Sequence, residues 1–194
     1  MIEKKDITGI ILAGGKSTRM GTDKGFLLLN KKPFVQYSID ALKPLVSEII
    51  IVSDNSNYDT FGLKRINDSI KDAGPVAGIC SGLEASSTAY NLVLSCDVPL
   101  ITSKILQKLI DNVDDTYEII QIESNGKTMP LIALYKKQTK NTFNKLIQAD
   151  ERRLRIAVNA CQFKNVVLEE ENEVLTMNVN TQNELKIVED EYNH

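Results

Sequence analysis

Apolar positions fall along this chain in two rhythms. Short, nearly unbroken runs at residues 7–12, 48–53 and 91–95 are rich in Ile, Val and Leu and have the length of buried strands, and 63–66 reads as a further strand. Between them the spacing changes. Phe34, Tyr37, Ile39, Ala41 and Leu42 line one face of a helix that Pro33 starts and Pro44 stops. The stretch 73–78 turns the chain into a second helix reaching about residue 87. Residues 26–29 read as a short strand, followed by a turn at Asn30-Lys31. Further on, Thr102 can cap a helix through about Asp111, and 117–122 reads as a strand. Asn125-Gly126 is a hairpin signal with 127–135 returning. Helices at 137–148 and up to about 161 precede strands at 163–168 and 177–180, and Thr181 with Glu184 forms a capping box for a last helix. Strands alternating with helices predict an α/β class: a Rossmann-like three-layer fold with a mostly parallel central sheet and right-handed crossovers. With no repeat and no linker, residues 1–194 read as a single domain.

In such sheets ligands lie beyond the carboxyl ends of the strands. The residues at those ends are Ala13-Gly14-Gly15, Asp54, Asp68 and Asp97. The glycine pair frees the backbone to turn and to present N–H groups, and Lys16, Arg19 and Lys24 follow with Asp23 the one acid among them. That combination suits a polyphosphate. It is not a P-loop, which needs glycine where Ile10 stands. Nor is it the dinucleotide fingerprint, since Ser17 and Met20 occupy its later glycine positions. The plain alternative is a strand-to-loop turn with solvated lysines. Asp97, directly after a buried strand and two residues before Pro99, is placed to bind Mg²⁺ together with substrate phosphates. The competing role, capping the next helix, is already filled by Thr102.

Composition excludes more than it assigns. With 23 basic and 26 acidic residues there is no field to attract nucleic acid or a membrane surface, and no apolar stretch approaches a membrane span. The charged start, residues 1–6, is unlike a signal peptide. Cys80, Cys96 and Cys161 are scattered and odd in number, as expected for buried thiols in a reducing cytoplasm. His194, the single histidine, receives no role.

The stretch from Leu12 to Lys24 resembles the signature loop of the nucleotidyltransferases, and within them most closely that of the molybdenum cofactor guanylyltransferases, the MobA family. Ser95-Cys-Asp-Val-Pro99, Gly74-Pro75 with Gly78, and Asn178-Val-Asn180-Thr181 extend the resemblance over nearly the whole chain. It implies the nucleotide-diphospho-sugar transferase type of fold, its N-terminal half binding nucleotide and its C-terminal half the acceptor. The implied reaction moves GMP from Mg-GTP to the terminal phosphate of molybdopterin (Mo-molybdopterin), releasing pyrophosphate. GTP would meet Leu12, Ala13, Gly14, Gly15, Lys24, Asp68, Gly78 and Asp97, with Arg19, Lys24 and Asp97 catalytic and Asp97 the metal ligand. Asn178, Asn180, Arg152 and Arg153 would face the acceptor. Enzymes that insert molybdenum and apo-molybdoenzymes are the implied protein partners, with no nucleic acid and no membrane. Two positions depart from the pattern: Asp150 replaces a glycine before Glu151-Arg152-Arg153, and Val52 or Ser53 stands where some members have asparagine, with Asn55 as a substitute. Guanine contacts are expected from main-chain groups of Leu12 and Ala13 and from acceptors at Asp54, Asn55 or the 74–78 turn. The rival readings are a cytidylyltransferase of the same fold, against which Ala13-Gly14-Gly15 argues, and a non-catalytic nucleotide-binding module.

Overall fold

The sheet grows outward from its first strand. The computed structural model describes residues 2–13, 23–68 and 74–193. In chain order its elements are β1 (Ile7–Leu12), β2 (Leu28–Leu29), β3 (Lys32–Pro33), α1 (Phe34–Leu42), β4 (Glu48–Val52), β5 (Lys64–Ile66), α2 (Gly74–Ala85) and β6 (Tyr90–Ser95). They continue with α3 (Ser103–Asp111), β7 (Ile119–Ser124), β8 (Lys127–Lys136), α4 (Thr139–Gln148), α5 (Leu154–Asn159), β9 (Phe163–Val167) and α6 (Gln182–Tyr192). Short 3-10 turns include Lys24–Phe26 and Ser56–Phe61.

The seven-stranded sheet runs in the order β5-β4-β1-β6-β8-β7-β9. β8 is antiparallel to both β6 and β7, while β1 is parallel to β4 and β6, β4 to β5, and β7 to β9. The mostly parallel expectation therefore holds. From β1 the chain builds β4 and β5 to one side, then crosses through α2 to place β6 on the other. That reversal opens a crevice above the carboxyl ends of β1 and β6.

Alternation along β1 decides which helix covers which face. Ile11 packs with Val35, Ile39 and Leu42 of α1 and with Ile105, Leu106 and Leu109 of α3, whereas its neighbour Ile10 packs with Val76, Ile79 and Leu83 of α2. Both isoleucines are fully buried.

Local signals were read correctly where a single side chain carries them. Thr102 caps α3 by accepting from the Ile105 N–H, and Thr181 and Glu184 form the expected capping box of α6. Asn125 and Gly126 take φ of 51° and 65° between β7 and β8, the backbone of a tight hairpin turn. Two strand expectations fail. Only Leu28–Leu29 of 26–29 is a strand, because Asp23 caps a 3-10 turn over Lys24–Phe26. Residues 177–180 form no strand: the segment lies against the end of β6, where one bond from the Val179 N–H to the Asp97 carbonyl (2.8 Å) ties it, and no ladder follows.

Two glycines one turn apart on α2 do different work. A Cβ on Gly82 would sit 2.5 Å from Cγ2 of Ile10, so the helix lies on β1 only because that atom is missing. A Cβ on Gly78 would meet nothing closer than 3.4 Å. Gly82→Ala is expected to lose about 1–3 kcal/mol from overpacking. Gly78→Ala is expected to hold or gain up to about 1 kcal/mol through helix propensity. Urea unfolding of the two variants checks the contrast.

Candidate functional site

Beyond the carboxyl end of β6, two carbonyl-type oxygens converge on one ammonium. Lys24 Nζ stands 3.0 Å from Oδ2 of Asp97 and also donates to Oδ1 of Asn180. The pair is largely shielded, with the Lys24 and Asp97 side chains 22% and 13% exposed. Each of the three groups is braced by its own neighbours. Ser95 Oγ donates to Asp97 Oδ1 at 2.6 Å. Asn180 and Thr181 donate their N–H groups to Oε2 of Glu184 at 2.7 and 2.8 Å. The backbone N–H of Asn180 is the main reason the Glu184 carboxyl is held below its ordinary range.

Lys24 is braced through Asp23. The Asp23 carboxylate accepts from the Gly25 N–H at 3.1 Å, from Tyr58 Oη at 2.6 Å and from Asn55 Nδ2 at 2.9 Å. Tyr58 is fully buried, with its ring 4.6 Å from that of Phe26, and burial pushes its hydroxyl far above the usual phenol range. A Cβ on Gly25 would lie 2.1 Å from that hydroxyl, so only glycine fits between Lys24 and the tyrosine. Sequence reasoning missed Tyr58 and Gly25. The available signal was an aspartate capping a short turn next to a glycine, and it names no distant partner.

At the other side of the crevice, Asp68 and Gly78 lie close together. A Cβ on Gly78 would face Leu12, the Asp68 carboxylate at 3.8 Å and Val52. Two main-chain groups at the strand exit are already engaged. The Ala13 N–H donates to the Val52 carbonyl (3.0 Å) and the Leu12 carbonyl accepts from Cys96 N–H (3.2 Å), so the sheet already uses these groups. Asn55 is likewise spent on Asp23 and on the Asn57 N–H, and Asp54 accepts from the Asp68 N–H at 3.2 Å. Gly14, Gly15, Lys16 and Arg19 lie outside the described residues.

Of the four acceptor-side residues, Asn180 joins the Lys24–Asp97 centre, and Asn178 is half-buried on the same segment. Arg152 and Arg153 are exposed and pair with Asp150 and Glu151, the acids two residues earlier. Burial raises all three thiols, Cys80 to about 12, Cys161 to about 11 and Cys96 further still, so none is a thiolate nucleophile near neutral pH.

The family model described as "MobA-like NTP transferase domain" matches residues 9–164. The chain belongs to that family. A probable molybdenum cofactor guanylyltransferase of Flavobacterium johnsoniae is 35% identical over 179 residues, covering 92% of this chain and 94% of the relative. One from Clostridium perfringens is 37% identical over 173 residues, covering 88% and 83%. Among solved structures, molybdopterin-guanine dinucleotide biosynthesis protein A of Archaeoglobus fulgidus superposes with a TM-score of 0.81 at 18% identity, over 96% of this chain and 98% of that one. A 4-diphosphocytidyl-2C-methyl-D-erythritol synthase of Anaerococcus prevotii reaches 0.78 at 13%, over 98% and 97%. At those identities the two structures speak for the shared fold alone.

Because the Glu184 carboxyl is depressed in the folded protein, its stabilising effect is complete above the unfolded carboxylate pKa and is lost as pH falls through the lower folded value. Glu184→Gln is therefore expected to be less stable than the parent at pH 7, and the gap is expected to close below about pH 4. Urea midpoints across pH read this directly. Tyr58→Phe, which strips one bond from the Asp23 carboxylate, is expected to lose about 1–3 kcal/mol by the same measurement.

Proposed function

We propose that this protein transfers GMP from GTP to the terminal phosphate of molybdopterin, forming the guanine dinucleotide and releasing pyrophosphate. The observation that carries the reading is the Lys24–Asp97–Asn180 centre at the topological switch point of a MobA-family sheet. Relatives named for guanylyl transfer support the choice of substrates.

The chemistry asks little covalent work of the chain. An oxygen of the acceptor phosphate attacks the α-phosphorus in line, the bond to the β-phosphate breaks, and pyrophosphate leaves with the electron pair. What the protein supplies is alignment and charge. Lys24 provides a point charge for the triphosphate, and Arg19 is the proposed forked donor to the same phosphates. In the free protein Asp97 and Asn180 hold the Lys24 ammonium in place. An arriving triphosphate offers that ammonium a stronger partner and releases the Asp97 carboxylate. The absence of any need for a protein nucleophile suits a site whose nearby thiol, Cys96, is buried and protonated.

The donor set fits Mg²⁺. A carboxylate oxygen and an amide oxygen already converge on a single cationic point, and magnesium takes one or two such ligands with waters and phosphates. Asp97 and Asn180 would hold it, which moves Asn180 from the acceptor side to the nucleotide side. When bound, the ion would neutralise charge on the phosphates. Asp68 and Gly78 would border the nucleoside, and Gly14 and Gly15 would present the loop to the phosphates. We place the reaction in the cytoplasm, with hand-over from molybdenum-inserting enzymes and to apo-molybdoenzymes. Among the described residues no helix is long and apolar enough to cross a membrane.

Three measurements test the proposal. Incubation with molybdopterin and each nucleoside triphosphate, read by product mass, is expected to give a guanylate with GTP and no cytidylate with CTP at equal concentration; a cytidylate product overturns the named nucleotide. Asp97→Asn is expected to lower turnover by several orders of magnitude. Lys24→Ala is expected to weaken GTP binding by about 1.5–3 kcal/mol through the lost charge-assisted bond. Near-full turnover of Asp97→Asn at low Mg²⁺ would refute the role of Asp97.

A further inference from the structure

A cavity of about 260 Å³ opens on the α5 side of the sheet, among β7, β8, β9 and α5. It lies beside an irregularity in the sheet. Consecutive residues Gln121 and Ile122 of β7 pair with Ala133 and Met129 of β8, so Pro130, Leu131 and Ile132 have no partners on β7. The ladder between β6 and β8 ends at Leu94 and Ile132, and its register carried two residues further would set Pro130, on the cavity wall, opposite Cys96 and next to Asp97. Bulges of this kind gather next to active sites.

Gln121 lines the cavity and is 2% exposed. Its amide orientation follows from its neighbours. The Glu123 carboxylate only accepts, so Asn165 presents Nδ2 to it (2.8 Å), and the remaining Oδ1 of Asn165 takes the Gln121 Nε2 donor at 2.9 Å. Gln121 Oε1 is left buried with no donor among the described residues. An orphaned buried acceptor is costly and calls for an explanation. On the same cavity stands Arg155, exposed and with no acidic or carbonyl partner among the described residues. Phe163 and Pro130 supply a flat apolar wall.

We propose that this cavity is the subsite for the ring of the acceptor, and that it reads an amino-lactam edge: ring and exocyclic N–H groups toward Gln121 Oε1, the ring carbonyl toward Arg155. The assignment rests on the reading of the acceptor as a pterin. Guanine carries the same edge. Position favours the pterin, because the cavity sits on the β7–β9 half of the sheet while Asp68 and Gly78 border the opposite half. The volume suits a bicyclic ring and is too small for a dinucleotide. A larger cavity of about 580 Å³, lined by Thr88, Tyr90, Lys136 and Lys137, is a poorer candidate: both lysine ammonium groups are already taken by main-chain carbonyls.

The test has a binding arm and a kinetic arm. In the first, 6-hydroxymethylpterin is titrated into the protein and followed by ring fluorescence, with guanosine titrated in parallel. Saturable pterin binding that Arg155→Ala and Gln121→Met weaken at least tenfold, and that is at least tenfold tighter than any guanosine binding dependent on Arg155, is expected. No saturable pterin binding, unchanged affinity in Arg155→Ala, or guanosine binding as tight and as dependent on Arg155 overturns the subsite. In the second, Arg155→Ala is expected to raise the KM for molybdopterin at least tenfold while the KM for GTP stays put. A guanylylated product formed with unchanged acceptor KM removes the subsite and leaves the proposed function. Pterin binding that depends on Arg155, with no guanylylated product, removes the proposed function and leaves the subsite.

Discussion

A lysine ammonium held between two oxygens is the constraint on which this structure turns. Asp97 is 73 residues from Lys24, and Asn180 is 156 residues away. To bring them together the chain must finish β6 beside β1, return from the far edge of the sheet, and fold its last segment back over the β6 terminus. A shielded cation with a missing partner is expensive, so each oxygen has to be delivered accurately. The bracing reflects this. Ser95 fixes the Asp97 carboxylate, the Val179 N–H fixes its main chain, and Glu184 fixes Asn180.

The switch point divides labour across that centre. On the β4 side, α2 approaches the sheet closely through Gly82 and less tightly at Gly78, one turn earlier, where Leu12, Asp68 and Val52 lie at ordinary contact distance of an added Cβ. On the β8 side the sheet loses its regular pairing, and a cavity lies under α5. Separate surfaces on the two sides of a charged centre suit a two-substrate transfer. Each substrate brings its own recognition surface, and only the reacting phosphates need share the middle.

How much of this could be read in the sequence depended on range. Strands came through because their apolar runs are continuous, and Thr102, the Thr181–Glu184 pair and Asn125-Gly126 because a cap or turn is settled within four residues. The carboxyl-end carboxylates came through because topology follows from alternation. What stayed hidden was long-range or negative. Nothing near Tyr58 says that its hydroxyl ends on Asp23, 35 residues away. Nothing near Ala13 says that its N–H is already spent on Val52. Residues 177–180 alternate like a strand, and only the finished sheet reveals that no neighbour is available to pair with them beyond the single bond to Asp97.

The departure at Asp150 falls at a backbone position that favours glycine. The residue sits at φ +60°, the left-handed region that glycine enters without penalty, which explains a glycine in the resembled segment. Aspartate is among the few other residues that tolerate this region, because its short side chain can bond locally. Here the Asp150 carboxylate pairs with Arg152 at 2.9 Å, and the next acid, Glu151, pairs with Arg153 and is held down near 2 chiefly by the Arg153 side chain. The Asp150 carboxylate thus gives Arg152 a local counter-ion. An arginine paired with a solvent-exposed carboxylate is a weaker anion hook, since the local pair must open first, but an exposed pair is worth only about 0–1 kcal/mol. Arg152 and Arg153 start from such local pairs, whereas Arg155 has no such counter-ion among the described residues.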